Sequence, residues 1–177
     1  MKKLWLCSLC LWGLCGSALW AQDPQIPAFP GNQAGADSLL QYLLASDLEA
    51  RVEMTRALRP SREDCEQLLS DHRLASKVYK YQRFISRQPD FILGPVLAVQ
   101  TAYQLWKTNA HELIDYVGEA RQFPGGYREL AVYLAPELEL YRFKFIEPGR
   151  KMGTAFDLLV YINGHWCMIY RPWVALI

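Results

Sequence analysis

The chain has 177 residues, 51% of them hydrophobic, with 19 Lys and Arg against 18 Asp and Glu and a formal net charge of +1. That length suits one ordinary domain with a substantial core. The charge balance excludes a protein that recruits nucleic acid or an anionic membrane through a basic surplus.

The first element is at the N-terminus. Lys2 and Lys3 precede an uncharged stretch, Leu4 to Trp20, and Ala18-Leu19-Trp20-Ala21 offers a small-residue exit before Gln22. A basic start, an apolar run and a small residue at the cut describe a signal peptide over residues 1–21. Ala21 is the expected cleavage site and Ala18 the fallback. The apolar run approaches the roughly 17-residue lower limit for a membrane span, so an uncleaved anchor is the alternative. A lipoprotein reading fails because Leu14 stands before Cys15, where a small residue is required. Cleavage removes Lys2, Lys3 and no acid, leaving a mature charge of about −1.

Cys7, Cys10 and Cys15 leave with the signal, so Cys65 and Cys167 remain. The expected location is periplasmic or extracellular, where a disulfide persists. No later segment is long and apolar enough to cross a bilayer, since Gly94-Pro95 interrupts Phe91 to Val99. The exported domain is therefore expected to be soluble.

Residues 22–36, rich in Pro, Gly, Gln and Ala, read as a flexible leader, and residues 37–177 as a single α+β domain. A helix capped by Asp37 or Ser38 carries Leu39, Leu40, Leu43, Leu44 and Leu48 at helical spacing and runs to about Leu58. Ser61-Arg62-Glu63-Asp64 is a second start signal. Behind it, Cys65, Leu68, Leu69 and His72 form an apolar stripe that continues, after a kink near Asp71, to Pro89. Pro95 suits the first turn of a third helix, with Val96, Val99, Tyr103 and Trp106 on one side. Asn109 caps a fourth, and Tyr127 to Leu134 is a short fifth closed by Pro136.

After Pro136 the period changes to two. Leu140 to Glu147 reads as a strand, with Tyr141, Phe143 and Phe145 on one face and Arg142 and Lys144 on the other. Thr154 to Ile162 and His165 to Tyr170 follow as a hairpin about Asn163-Gly164, whose residues suit a type I′ turn. That turn sets the register: Ile162 opposite His165, Val160 opposite Cys167, Leu158 opposite Ile169. This aliphatic face should meet the helices. The other face pairs Tyr161 with Trp166, Leu159 with Met168, and Asp157 with Tyr170. Because Cys65 and Cys167 both point inward from facing layers, a Cys65–Cys167 disulfide is expected.

Candidate chemistry is sparse. His111 and Asp115 stand one turn apart but lack further ligands, so no metal site is expected. His72 continues an apolar stripe, and His165 follows the hairpin turn. Phosphate loops, dinucleotide fingerprints and nucleophile elbows are missing from the sequence, and no cofactor is implied. Asp157 is the weak catalytic candidate, an acid facing Tyr170 on an aromatic face. That face, with Asp157, Tyr161, Trp166, Met168 and Tyr170 as candidate ligand-binding residues, is core, the lining of a pocket, or a patch that receives a partner.

Two stretches carry a resemblance. Leu58-Arg59-Pro60-Ser61-Arg62-Glu63-Asp64-Cys65 with Val78-Tyr79-Lys80-Tyr81 is one. The closing stretch from Gly153 to Trp173, with its Asn163-Gly164-His165-Trp166 turn and Pro172-Trp173 ending, is the other. Together they resemble small exported bacterial proteins with an NTF2-like or cystatin-like fold. The resemblance implies N-terminal helices packed on a curved antiparallel sheet, with a cavity between them, and implies no particular activity. The leading functional expectation is a non-enzymatic binding module of the cell envelope whose partner is a small apolar ligand or an envelope protein. The alternatives are an NTF2-like hydrolase or isomerase using Asp157, and a structural envelope protein without ligand.

Overall fold

Local capping signals decide where the helices begin and end. The computed structural model describes residues 27–177, so the expected signal peptide and the expected leader up to residue 26 lie outside the described residues. α1 (Gln33–Ala45) starts earlier than Asp37, because the Asn32 side chain caps it by accepting the Gly35 N–H at 3.1 Å. The run expected to reach Leu58 breaks in two. Ser46 closes α1 with its hydroxyl on the Tyr42 carbonyl, and Asp47 caps α2 (Leu48–Ala57) through the Ala50 N–H. Ser61 and Asp64 form the expected capping box at the head of α3 (Arg62–Leu68). Asp71 then caps α4 (His72–Ile85), which accounts for the kink read near that residue.

The third helix expected after Pro95 does not form. Residues 102–108 are instead strand β1 (Ala102–Thr108), paired antiparallel to β2 (Leu140–Ile146). Val96 and Val99, expected on one side of that helix, are 69% and 53% exposed. The coincidence of spacing hid a period-two pattern: Tyr103 and Leu105 pack on one side of the sheet and Trp106 on the other. Asn109 caps α5 (Ala110–Asp115) as expected, and α6 (Gly126–Leu130) runs into a 3₁₀ turn before Pro136.

β3 (Gly153–Ile162) and β4 (His165–Met168) complete a four-stranded antiparallel meander in the order β1-β2-β3-β4. The fold is α+β, and α1 to α4 all precede the sheet. The hairpin register holds over four pairs, from Ile162–His165 to Leu159–Met168. Asn163 and Gly164 have φ of 50° and 82°, the positive values a type I′ turn demands.

Beyond those pairs the sequence alternation fails at one residue. β2 pairs Tyr141 with Leu159 but Arg142 with Asp157, leaving Leu158 as an extra residue with φ of 64°. This β-bulge moves every earlier side chain of β3 to the opposite face. Phe156 joins the aromatic side, stacked on Phe143 with centroids 5.2 Å apart. Asp157 leaves it. The expected Asp157–Tyr170 pair is replaced, and the Gln82 side-chain amide instead bonds both the N–H and the carbonyl of Tyr170 at 2.9 Å.

The sheet separates two cores. On one face Leu39, Leu40 and Leu43 of α1 and Met54 of α2 cover Tyr141, Phe143, Phe145, Phe156, Leu159, Trp166 and Met168. On the other, α3 to α6 cover Leu140, Leu158, Val160, Ile162 and Cys167. Each fully buried leucine or phenylalanine contributes about 1.5–3 kcal/mol. The aromatic face read from the sequence is therefore mostly core. Tyr127, fully buried in the second cluster, has a hydroxyl without a hydrogen-bond partner among the described residues. An unpaired buried hydroxyl costs about 1–3 kcal/mol, so Tyr127→Phe should be neutral or stabilising in urea denaturation. A marked loss of stability would mean that the hydroxyl has a partner, such as an ordered water.

Candidate functional site

Two features meet at the β3–β4 hairpin: a polar cluster on one face of the sheet and a groove on the other. The cluster grows from the capping box. Asp64, at the third position of α3, turns its carboxylate back so that Oδ2 accepts the Ser61 N–H at 2.7 Å. The same fold brings Asn163 alongside, and its side-chain amide donates to Asp64 Oδ1 at 2.7 Å. Asp64 is completely buried. Burial alone would raise its pKa, but the Ser61 N–H and the Asn163 amide outweigh that and hold it below the ordinary value.

His165 and Cys167, two residues apart on β4, share the face that meets Asp64. His165 Nε2 lies 3.3 Å from Asp64 Oδ2 and 3.1 Å from Cys167 Sγ. Its other ring nitrogen, Nδ1, lies 3.4 Å from the Asn163 carbonyl oxygen. The side chain of Asp64 is 1% exposed and that of His165 45%, so the cluster opens to solvent through the imidazole.

The expected disulfide is absent: Cys65 and Cys167 are both buried free thiols. Both occupy the same core cluster, as their faces required, but the Cys167 sulfur is turned to His165 and not bonded to Cys65. Burial, reinforced by Asp64, pushes the Cys65 thiol up to about 12 and raises that of Cys167 as well. Neither thiol is poised as a nucleophile. A cysteine–histidine–aspartate relay also needs the acid on the imidazole nitrogen remote from the thiol, whereas Asp64 and Cys167 both approach Nε2.

The groove lies between the segment from Pro27 to Phe29, α1, α2 and the hairpin, with a volume of about 190 Å³. Leu39, Met54 and Leu58 form its helical wall, and Tyr161 and Trp166 its sheet side. The two rings meet edge-on, 5.4 Å between centroids. The Trp166 indole N–H donates to the Pro30 carbonyl and the Tyr161 hydroxyl to the Gly164 carbonyl, which fixes both rings. Gly31 lies directly against the Tyr161 ring, where a Cβ has no room.

The sequence candidates thus divide. Tyr161 and Trp166 come together at the groove. Met168 shares their face but is buried in the core, and Tyr170 lies past the end of β4, edge-on to Phe91. Asp157 sits on the opposite face and is 8% exposed. Its Oδ1 accepts from Arg142 Nε at 2.7 Å, and Arg142 also donates to the Gln122 carbonyl and lies over the Trp106 ring. His111 and Asp115 lie at the surface of α5. The polar cluster escaped sequence reasoning, although the hairpin register puts His165 and Cys167 on one face; the missing signal was the long-range contact that delivers Asp64.

The Arg142–Asp157 pair, with side chains 15% and 11% exposed, is a structural ion pair. Asp157→Asn should lower stability by about 3 kcal/mol in urea denaturation, because it strands a largely buried guanidinium. The double variant Arg142→Met/Asp157→Leu should recover much of that loss. An Asp157→Asn protein of unchanged stability would contradict the assignment.

Comparison of the chain with protein-family models, with curated proteins and with solved structures finds no match.

Proposed function

We propose that this protein is a non-enzymatic binding module of the cell envelope, which takes an apolar group in the groove between α1, α2 and the β3–β4 hairpin. The observation that carries the reading is the groove itself: an apolar-walled cavity of about 190 Å³ with two aromatic rings held in place by hydrogen bonds to backbone carbonyls. Small-molecule sites commonly enclose about 300–1,000 Å³. The smaller volume here suits a single large apolar side chain of a protein segment, or a short-chain apolar ligand. Pre-set rings favour binding because little rotamer freedom is lost on association. The resemblance to NTF2-like and cystatin-like domains belongs to the same proposal, as does export through the apolar N-terminal stretch. Catalysis by Asp157 loses support, since its carboxylate faces Arg142 on the other side of the sheet.

Melting temperature tests the reading. The full chain should be screened against short-chain fatty acids, indole and short hydrophobic peptides. A ligand at a hundred times its Kd should stabilise the fold by about 2.7 kcal/mol. Ala57, exposed on the groove wall, offers the control. Ala57→Trp should fill the cavity and abolish the shift while leaving the far-ultraviolet spectrum unchanged. A peptide-selective shift identifies a protein partner and a fatty-acid or indole shift a small ligand. No shift with any probe, or an undiminished shift in the Ala57→Trp protein, would overturn the proposal.

A further inference from the structure

We propose that Asp64, His165 and Cys167 form a binding site for one divalent transition-metal ion, with zinc as the preferred occupant. The inference does not rest on the groove reading, although His165 also lines the groove.

The geometry is the first argument. Tetrahedral zinc sits about 2.0–2.2 Å from nitrogen and oxygen ligands and about 2.3 Å from sulfur, which places neighbouring ligand atoms roughly 3.3–3.6 Å apart. The cluster already has His165 Nε2 at 3.3 Å from Asp64 Oδ2 and 3.1 Å from Cys167 Sγ. One ligand atom from each of the three residues lies within 4.8 Å of the other two. His165, with its half-exposed side chain, is the ligand with most freedom to adjust to an ion.

The surroundings are the second. Metal-bound histidines donate their other ring N–H to a carbonyl or carboxylate, and metal-bound carboxylates are themselves held by hydrogen bonds. Both features are built here. His165 Nδ1 faces the Asn163 carbonyl at 3.4 Å, and the Asp64 carboxylate is oriented by the Ser61 N–H and the Asn163 amide, each at 2.7 Å. Asn163 therefore serves both ligands from one turn residue, its backbone on one and its side chain on the other.

Charge and chemistry are the third. A thiolate and an imidazole select zinc over magnesium or calcium, which take oxygen ligands. On binding, the Cys167 S–H bond breaks and its electron pair forms the metal–sulfur bond. The imidazole stays neutral, carrying its proton on Nδ1 while Nε2 donates its lone pair to the metal. One proton leaves to solvent for each ion bound, and no electron is transferred. The carboxylate and the thiolate together cancel the two charges of the ion, so the site goes from one negative charge to neutral on binding. Three protein ligands leave a fourth position for water, and the exposed side of His165 is the way in.

The test uses the full chain with C7S, C10S and C15S, which removes the cysteines outside the described residues. The reduced, metal-free protein is titrated with Co²⁺, whose bond to a thiolate gives a charge-transfer absorption, and then with Zn²⁺ as competitor. One Co²⁺ per chain, displaced by one Zn²⁺, is the expected result. Cys167→Ser should abolish the charge-transfer band. His165→Ala, at a half-exposed side chain whose loss leaves the core intact, should weaken Zn²⁺ binding by more than about a hundredfold, since losing even an outer-shell partner costs 10–100-fold. Circular dichroism verifies that both variants fold. A parent protein without a charge-transfer band, or binding undiminished in both folded variants, would overturn the site.

Discussion

The hydrogen bond between Asn163 and Asp64 joins the two halves of this structure. Asp64 is committed locally, as the acid of a capping box, before any tertiary contact forms. Its second oxygen is then free to receive the amide of a turn 99 residues later in the chain. A buried carboxylate left without that partner would cost several kcal/mol, so the hairpin has one favourable seat on the helical layer. Everything near the hairpin inherits that seating. Val160, Ile162 and Cys167 meet the helices, Tyr161 and Trp166 turn to the groove, and His165 stands at the boundary between core and solvent.

Much of this was legible in the residues. Asn163-Gly164 specified its turn because few residues tolerate positive φ at both positions, and the turn then placed eight side chains. Ser61 and Asn109 announced their helices by capping chemistry alone. What stayed hidden was non-local. The bulge at Leu158 has no glycine to mark it, and it reversed the faces of Phe156 and Asp157 against a perfect alternation. Strand β1 was masked by a chance match to helical spacing, and pairing with β2 decided its conformation. The thiol pair illustrates the same limit. Facing layers brought Cys65 and Cys167 into one core, but His165 and Asp64 determined where the Cys167 sulfur points.

The two candidate features share a residue. His165 lines the rim of the apolar groove while its imidazole contacts the polar cluster through the sheet edge. Tyr161 and Trp166, the adjacent cross-strand pair, are each fixed by one hydrogen bond to a backbone carbonyl. The hairpin is thus a rigid element with an apolar side and a polar side, attached to the helices on each. Any event that moves His165 on one side changes the shape of the other.

The strand β4 has its own consequence for the order of assembly. Its free edge is closed by the Leu58 carbonyl, which accepts the Met168 N–H at 2.7 Å, and its end by the Gln82 amide acting as a short stretch of false strand. Both acceptors belong to segments synthesised long before β4, as does Asp64. A chain emerging from its N-terminus therefore presents its docking points first, and the hairpin arrives last to a nearly finished receptor. The late-made strand has little time as an unpaired edge, which is when strands of this kind are most prone to join the wrong neighbour.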